Sequence, residues 1–280
     1  MFQRKKEMEV LSQALEKLIS GESADQILRD EDTLPSKVEH QILRLSDKIR
    51  GQEAQLTKDR DEIKGLISEI AHQLRNPLAN MEGYLQLLEE EGNSREQELS
   101  YIEAIAASEK RIRFLTESFI KMARLESRII QIKKEAAPLK DTLLKSILQA
   151  EAGAEEKGIM IRLQMDENLQ IAHDVNWLSE AVFNLLDNSI KYSSPNSYID
   201  IEVRCNEMFA EISVRDFGMG IEKGEENLIF KRFYRGKKIT NQEGFGLGLY
   251  LTREIVLQHQ GFMKASALEQ GVRISVFLPA

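Results

Sequence analysis

The sequence predicts a multidomain chain: a long helical hairpin that pairs with a second copy into a dimeric four-helix bundle, followed by an α+β two-layer domain. Three observations predict it. Ile42, Ile49, Leu56, Ile63 and Ile70 recur every seven residues, with Leu45 and Leu66 three residues on, a repeat that winds helices around a shared seam. A second amphipathic stretch, carried by Ile102, Ile105, Ile112, Leu115, Phe119, Met122 and Leu125, follows the turn-like EEGNSRE of residues 90–96. From about residue 128 short alternating runs interleave with helical ones, the pattern of helices packed on one face of a mixed sheet.

Taken in order, residues 1–41 read as a helical connector, membrane-proximal or signal-transmitting, broken by GESADQ and DEDTLPS. Its opening MFQRKKEMEV is a small basic cluster feeding a helix, a pattern found just inside membranes and in ordinary charged termini alike, so membrane attachment upstream stays open. Residues 42–127 read as coiled coil and dimerisation hairpin. The companion seam positions are polar at Gln52, Asp59 and Gln73, so the repeat needs a partner helix. One hairpin has too little core to stand alone, whereas two hairpins from two chains make a bundle; a homodimer is expected. Within SEIAHQLRNPLANMEGYLQLL the apolar stripe is Ile70, Leu74, Leu78, Met81, Leu85 and Leu88, and His72 falls off it. Pro77 follows five residues later and removes a backbone donor, which loosens the helix just beyond His72.

Residues 128–280 read as one α+β domain. RIIQIKK, IMIRLQM, LQIAHD, YIDIEVRCN, MFAEISVRD, GFMKASAL and GVRISVFLP are expected strands. LKDTLLKSILQAEAGAEEKG, VNWLSEAVFNLLDNSIKY and a stretch from about 246 to 259 are expected helices.

Composition bounds the function. The 280 residues carry a formal net charge of −8, which argues against nucleic acid as a partner. The one cysteine, Cys205, cannot form an internal disulfide, and neither a run of about 18 apolar residues nor a signal peptide is present. The cytoplasm is the expected compartment, with no membrane span in this chain.

Chemistry concentrates in three places of the carboxy-terminal half. Asn184 and Asn188 lie four apart on one helix and so share a face, and their amide oxygens suit a hard cation that also holds phosphate oxygens. RDFGMGIE puts Asp216 at a strand end before Gly218 and Gly220, where backbone can turn close to a ligand. GFGLGLYLTREI sets Gly244, Gly246 and Gly248 directly before a helix, presenting N–H groups to phosphate. That run lacks a preceding strand, which excludes a dinucleotide-binding βαβ unit. His40, His173 and His259 sit in no motif or metal spacing and read as surface or structural histidines, and Trp177 reads as core.

These pieces, in this order, resemble the sensor histidine kinases of two-component systems over roughly residues 60–280. HQLRNPL resembles their phospho-acceptor box, NLLDNSIKY their asparagine box, DFGMG and GFGLGL their two glycine boxes, and FKRFYRG their aromatic box. The resemblance implies that ATP and Mg2+ bind the second domain, with Asn188 holding the metal and Asn184 nearby. Asp216 would accept from the adenine amino group, and Lys191 and Tyr192 would lie beside phosphate and base. Gly218 and Gly220 would turn the loop. Gly244, Phe245, Gly246, Leu247 and Gly248 would hinge a lid of roughly residues 222–243, anchored by Phe230 and Phe233 and charged by Arg232, Arg235, Lys237 and Lys238. His72 would take the γ-phosphoryl group and pass it to an aspartate of a response regulator receiver domain. One residue departs from the pattern: most such chains carry an acid directly after the histidine, and here it is Gln73, whose amide can accept a hydrogen bond but not a proton at ordinary pH. Asn76 matches the position of a polar residue that orients water for dephosphorylating the regulator. The rival readings are another ATPase of the same architecture and a dimeric ATP-binding scaffold without kinase activity, or one in which the phosphatase dominates.

Overall fold

The computed structural model of the chain describes residues 34–90, 92–126, 132–237 and 244–280. The connector expected over residues 1–41 lies outside these but for its last residues, as does lid residue Lys238. Two structural units divide at residues 76 and 77.

Helix α1 runs Leu34–Glu89 and α2 runs Arg95–Glu126. In the first unit the seven-residue seam stands open along α1: Leu45, Ile49, Leu56 and Ile63 are exposed in the single chain. In the second unit the turn between the helices is fixed by Asn93, whose Nδ2 donates to the Leu87 carbonyl at 2.5 Å and the Glu90 carbonyl at 3.1 Å. Ser94 and Gln97 then start α2 with reciprocal bonds, Gln97 N–H to Ser94 Oγ and Ser94 N–H to Gln97 Oε1, which satisfy donors a helix start leaves orphaned. Glu96 and Glu98 in its first turn and Arg124 in its last complement the helix dipole. Tyr84 packs on Tyr101 across the hairpin at 5.9 Å between ring centroids.

Among the described residues the α/β part begins with β1 (Glu135–Pro138); of the expected strand RIIQIKK, Ile132, Lys133 and Lys134 lie in no strand, and residues 128–131 lie outside the described set. There follow α3 (Leu139–Glu156), β2 (Met160–Gln164), β3 (Gln170–His173), α4 (Val175–Tyr192), β4 (Tyr198–Cys205), β5 (Phe209–Arg215), α5 (Gly248–Gln258), β6 (Phe262–Ala267) and β7 (Val272–Pro279). Strands β1 and β3 form a separate antiparallel pair, and the main sheet has the order β2-β4-β5-β7-β6, with β2 parallel to β4 and the other pairs antiparallel. Alternation in β4 and β5 turns Ile199, Ile201, Val203, Ile212 and Val214 inward. They meet Leu143, Leu178, Val182, Leu185 and Leu186 of the helical layer in one core. A second, smaller cluster joins Leu125 of α2 to Ala181, Leu251 and Ile255, with Trp177 packed against it.

Both described histidines of this unit are structural. His173 Nε2 pairs with Thr142 Oγ1 at 2.7 Å and its Nδ1 with the Ile171 carbonyl at 2.9 Å. His259 Nδ1 faces the Ile255 carbonyl at 2.8 Å, and Nε2 accepts the Asp174 N–H at 3.1 Å. Asp174 in turn caps α4 through Asn176 N–H and Trp177 N–H. The His40 side chain is outside the described set. Burial pushes the His259 imidazole below its ordinary 6.5. The unfolded chain therefore binds this proton more readily, so the associated stability is full above the ordinary value and is lost as pH falls toward the folded one. Thermal melts at pH about 7.5 and about 5.5 should show the midpoint falling with acid, and His259→Gln should flatten part of that fall. An equally steep fall in the variant would assign the dependence to other groups.

Candidate functional site

A cavity of about 1110 Å3, counting its open mouth, lies at one end of α4 and the sheet. Its lining includes every nucleotide-site residue expected from sequence except Gly218: Asn184, Asn188, Lys191 and Tyr192 from α4, Asp216 and Gly220 after β5, Gly244, Phe245, Gly246 and Leu247 before α5, and Gly248 at its first position. Helix periodicity explains the first group, since burial of Leu178, Val182, Leu185 and Leu186 turns the Asn184 and Asn188 face toward the cavity. Asn188 Nδ2 donates to the Asn184 carbonyl at 2.8 Å, which leaves its Oδ1 as acceptor. The Asn184 Nδ2 is buried without a partner among the described residues. Gly218 stands behind the wall, where an added Cβ would lie 2.2 Å from the Tyr192 carbonyl oxygen, so only glycine lets this loop close on the end of α4.

Asp216 is only 4% exposed, and its Oδ1 accepts from Gly218 N–H at 3.0 Å and Val272 N–H at 3.3 Å. Burial raises its carboxyl above the ordinary 3.8, against the two backbone donors and Arg215, which favour the charged form. The hydrogen bonds on Oδ1 fix the carboxylate while Val272 and Ile274 supply an apolar floor. That combination has the chemistry to take a flat apolar ring that carries a donor at its edge. Burial likewise raises Asp187 against the pull of Lys191, and Tyr192 against the pull of Arg235, so both cations act at the cavity wall.

The described part of the segment expected to form the lid is held by a residue the sequence reading passed over. Glu225, 4% exposed, accepts from Glu222 N–H at 2.9 Å, from the Tyr234 hydroxyl at 2.9 Å and from Lys237 N–H at 3.1 Å. Burial pushes this carboxyl up, but the hydrogen bonds from Glu222, Lys237 and Tyr234 outweigh it and hold the group below its ordinary value. One carboxylate thus ties the start of the lid to its middle, and Glu225, Ile229, Tyr234 and Arg235 all line the cavity. Phe230 anchors the segment in the main core. Phe233 packs on Phe119 of α2 at 6.2 Å between centroids, and Arg232 lies over the Tyr250 ring at 4.7 Å. Phe114 of α2, also missed, lines the cavity and stacks on Phe245 at 5.9 Å. Further along, Lys121 pairs with Glu180 at 2.6 Å and Gln258 Nε2 donates to the Leu125 carbonyl at 2.7 Å.

The other expected catalytic residues lie on α1. His72 and Asn76 are exposed and four residues apart, so they share one face. Gln73 is half-buried, and its Nε2 donates to Glu69 Oε1 at 2.9 Å.

Comparison with known proteins agrees with both parts. The family "His Kinase A (phospho-acceptor) domain" matches residues 62–128, and "Histidine kinase-, DNA gyrase B-, and HSP90-like ATPase" matches residues 173–280. The chain is 28% identical over 253 residues to the signal transduction histidine-protein kinase/phosphatase MprB of Mycobacterium avium (strain 104), covering 87% of this chain and 47% of MprB. It is 28% identical over 235 residues to the sensor protein kinase WalK of Staphylococcus aureus, covering 81% of this chain and 55% of WalK. The chain thus spans about half the length of these curated relatives. Two solved structures share its fold. The Acinetobacter baumannii histidine kinase AdeS superposes with a TM-score of 0.60 at 19% identity, over 74% of this chain and 97% of AdeS. Histidine kinase ThkA, solved in complex with response regulator protein TrrA, superposes with a TM-score of 0.60 at 19% identity, over 82% of this chain and 66% of that one. A helical hairpin bearing an exposed histidine, joined to an ATPase domain whose asparagine face, buried aspartate and glycine hinge meet in one cavity, belongs to the sensor histidine kinases of two-component systems.

Proposed function

We propose that the chain is the catalytic region of a sensor histidine kinase that autophosphorylates on His72 from ATP and passes the phosphoryl group to an aspartate of a response regulator receiver domain. The observation that carries this reading is the convergence of Asn184, Asn188, Asp216 and the 244–248 segment on one cavity, in a chain that also bears a phospho-acceptor domain. Asp216 accepts from the adenine amino group, and Lys191, Arg235 and the glycine segment face phosphate. The site fits a magnesium nucleotide, since Asn188 offers an amide oxygen beside a donor, Asn184 Nδ2, that has no partner among the described residues. Bound Mg2+ supplies charge neutralisation of the phosphates, with Asn188 as its protein ligand. His72 contributes an exposed imidazole, which is a nucleophile in its neutral form near neutral pH.

Support for a homodimer comes from the apolar positions of α1 and α2 that one chain leaves exposed, including Leu78, Leu85, Leu99 and Ile102. A connector over 1–41, a dimerisation and phosphotransfer hairpin over 42–127 and an ATP-binding domain over 128–280 are the functional divisions we assign. Among the described residues no helix is long and apolar enough to cross a membrane. A regulator phosphatase activity is the second reading, favoured by Asn76 standing exposed on the His72 face, where its amide can orient water.

The test is labelling from γ-labelled ATP. Acid-labile, base-stable label that is lost in His72→Gln supports the reading, and label that persists in that variant ends it. Asp216 adds a second check. Because burial raises its carboxyl, lowering the pH protonates it before ordinary surface aspartates, and ATP affinity should fall with it. Asp216→Asn should remove that pH dependence and reduce the preference for ATP over GTP. A variant that keeps both would take Asp216 out of base recognition.

A further inference from the structure

We propose that Glu69 is the proton acceptor for the His72 imidazole, held in place by Gln73. The proposal rests on the reading that His72 is the phosphoryl acceptor, and it answers what that reading leaves open. The residue after His72 is an amide, and an amide does not take a proton at ordinary pH. Its side chain is not idle: Gln73 Nε2 donates to Glu69 Oε1 at 2.9 Å, one helical turn back. Glu69 therefore lies three residues before His72 and four before Gln73, the two spacings at which helix side chains are neighbours. Helical side chains lean toward the amino terminus, so both the ring of His72 and the amide of Gln73 lean toward the turn of Glu69.

A carboxylate has about four lone-pair sites on two oxygens, so Glu69 can keep the amide and still accept a ring N–H. The amide bond also restricts a long side chain that would otherwise sample many rotamers, which lowers the entropy cost of holding it beside the ring. Glutamine at 73 suits this arrangement better than glutamate, since two carboxylates four apart on a helix repel.

The step balances. His72 begins as neutral imidazole with its proton on one ring nitrogen. The lone pair of the other nitrogen forms the N–P bond as the bond between the γ-phosphorus and the β,γ-bridging oxygen breaks, and ADP leaves with that electron pair. The proton on the remote nitrogen passes to the Glu69 carboxylate and from there to water, leaving phosphohistidine with a neutral ring and an anionic phosphoryl group.

The test uses the full chain with two phosphoryl donors, magnesium ATP and the small donor phosphoramidate, so that the nucleotide domain can be bypassed. Glu69→Gln should slow phosphohistidine formation by about 100-fold, within the range for general-base groups, with an unchanged KM for ATP. Glu69→Ala should be slow in the same way and should recover on adding formate, a free carboxylate that a merely structural loss would not respond to. Gln73→Leu should slow the rate several-fold by releasing Glu69. Helicity by circular dichroism, equal in all variants, guards against unfolding. Parental rates in Glu69→Gln with both donors, or a slow Glu69→Ala that formate does not rescue, would overturn the proposal. A parent labelled by phosphoramidate and not by ATP would count against the kinase reading alone, and the comparison of variants with phosphoramidate would still decide the role of Glu69.

Discussion

Asn188→Ala should weaken magnesium-dependent ATP binding by about 100-fold, the scale of losing a group that fixes a metal site, while leaving the folded domain intact. The side chain lies part-buried at the cavity, and among the described residues it donates to the Asn184 carbonyl. That carbonyl belongs to the α4 backbone, so truncation strands no distant donor. Alanine is also the better helix former, by up to about 0.7 kcal/mol, which offsets the lost local bond. A loss of binding with an unchanged or raised melting temperature is therefore the expected signature. Titration calorimetry should be run with magnesium and again with a chelator in excess. If Asn188 holds the metal, the gap between parent and variant should close under chelation, because the substitution then removes a metal ligand. An equal gap under both conditions would move Asn188 from metal binding to direct contact with the nucleotide.

Periodicity made the helices legible. The spacing of Asn184 and Asn188 within a stripe of buried leucines was enough to put both on one wall of a cavity, and the glycines of GFGLGL marked a backbone segment that lines the same cavity. The first strand was not legible. Among the described residues it is β1, EAAP, a run of low strand propensity ending in proline, and pairing with β3 decides it. Glu225 was hidden for a different reason: in EKGEENLIF it is one acid among several, and only folding reveals that it alone is buried and takes three donors. Phe114 was hidden because it falls off the apolar stripe of α2, and its contact is with Phe245 far along the chain. The pair of Glu69 and Gln73, in contrast, was available as an i,i+4 spacing.

Gly246→Ala should cost ATP affinity heavily while sparing adenosine. Gly246 has a φ of +67°, and an added Cβ would lie 2.5 Å from the Tyr234 carbonyl oxygen, 2.7 Å from the Phe233 carbonyl carbon and 2.8 Å from Tyr234 N. These are backbone atoms, which cannot swing aside as a side chain does. Phe233 is itself left-handed, at a φ of 59°, and its N–H donates to the Gly246 carbonyl at 3.0 Å, so lid and hinge are fitted to each other at this one contact. Left-handed alanine costs about 1–2 kcal/mol. Forcing the two backbones apart costs about 1–3 kcal/mol more. If the lid meets the phosphates, relief comes by moving residues 233–237, which carries Arg235 away from them and pulls Tyr234 and Lys237 from Glu225. An ATP affinity lower by about 30-fold or more follows from about 2 kcal/mol or more. Adenosine has no phosphate, so its contacts with Asp216 and the apolar floor should survive, and its affinity should change by less than about threefold if the distortion stays in the lid. Equal losses for both ligands would mean that the strain reaches the base site. Equal retention of both would mean that the lid lies away from the phosphates, and the role assigned to Arg235 would fall with it.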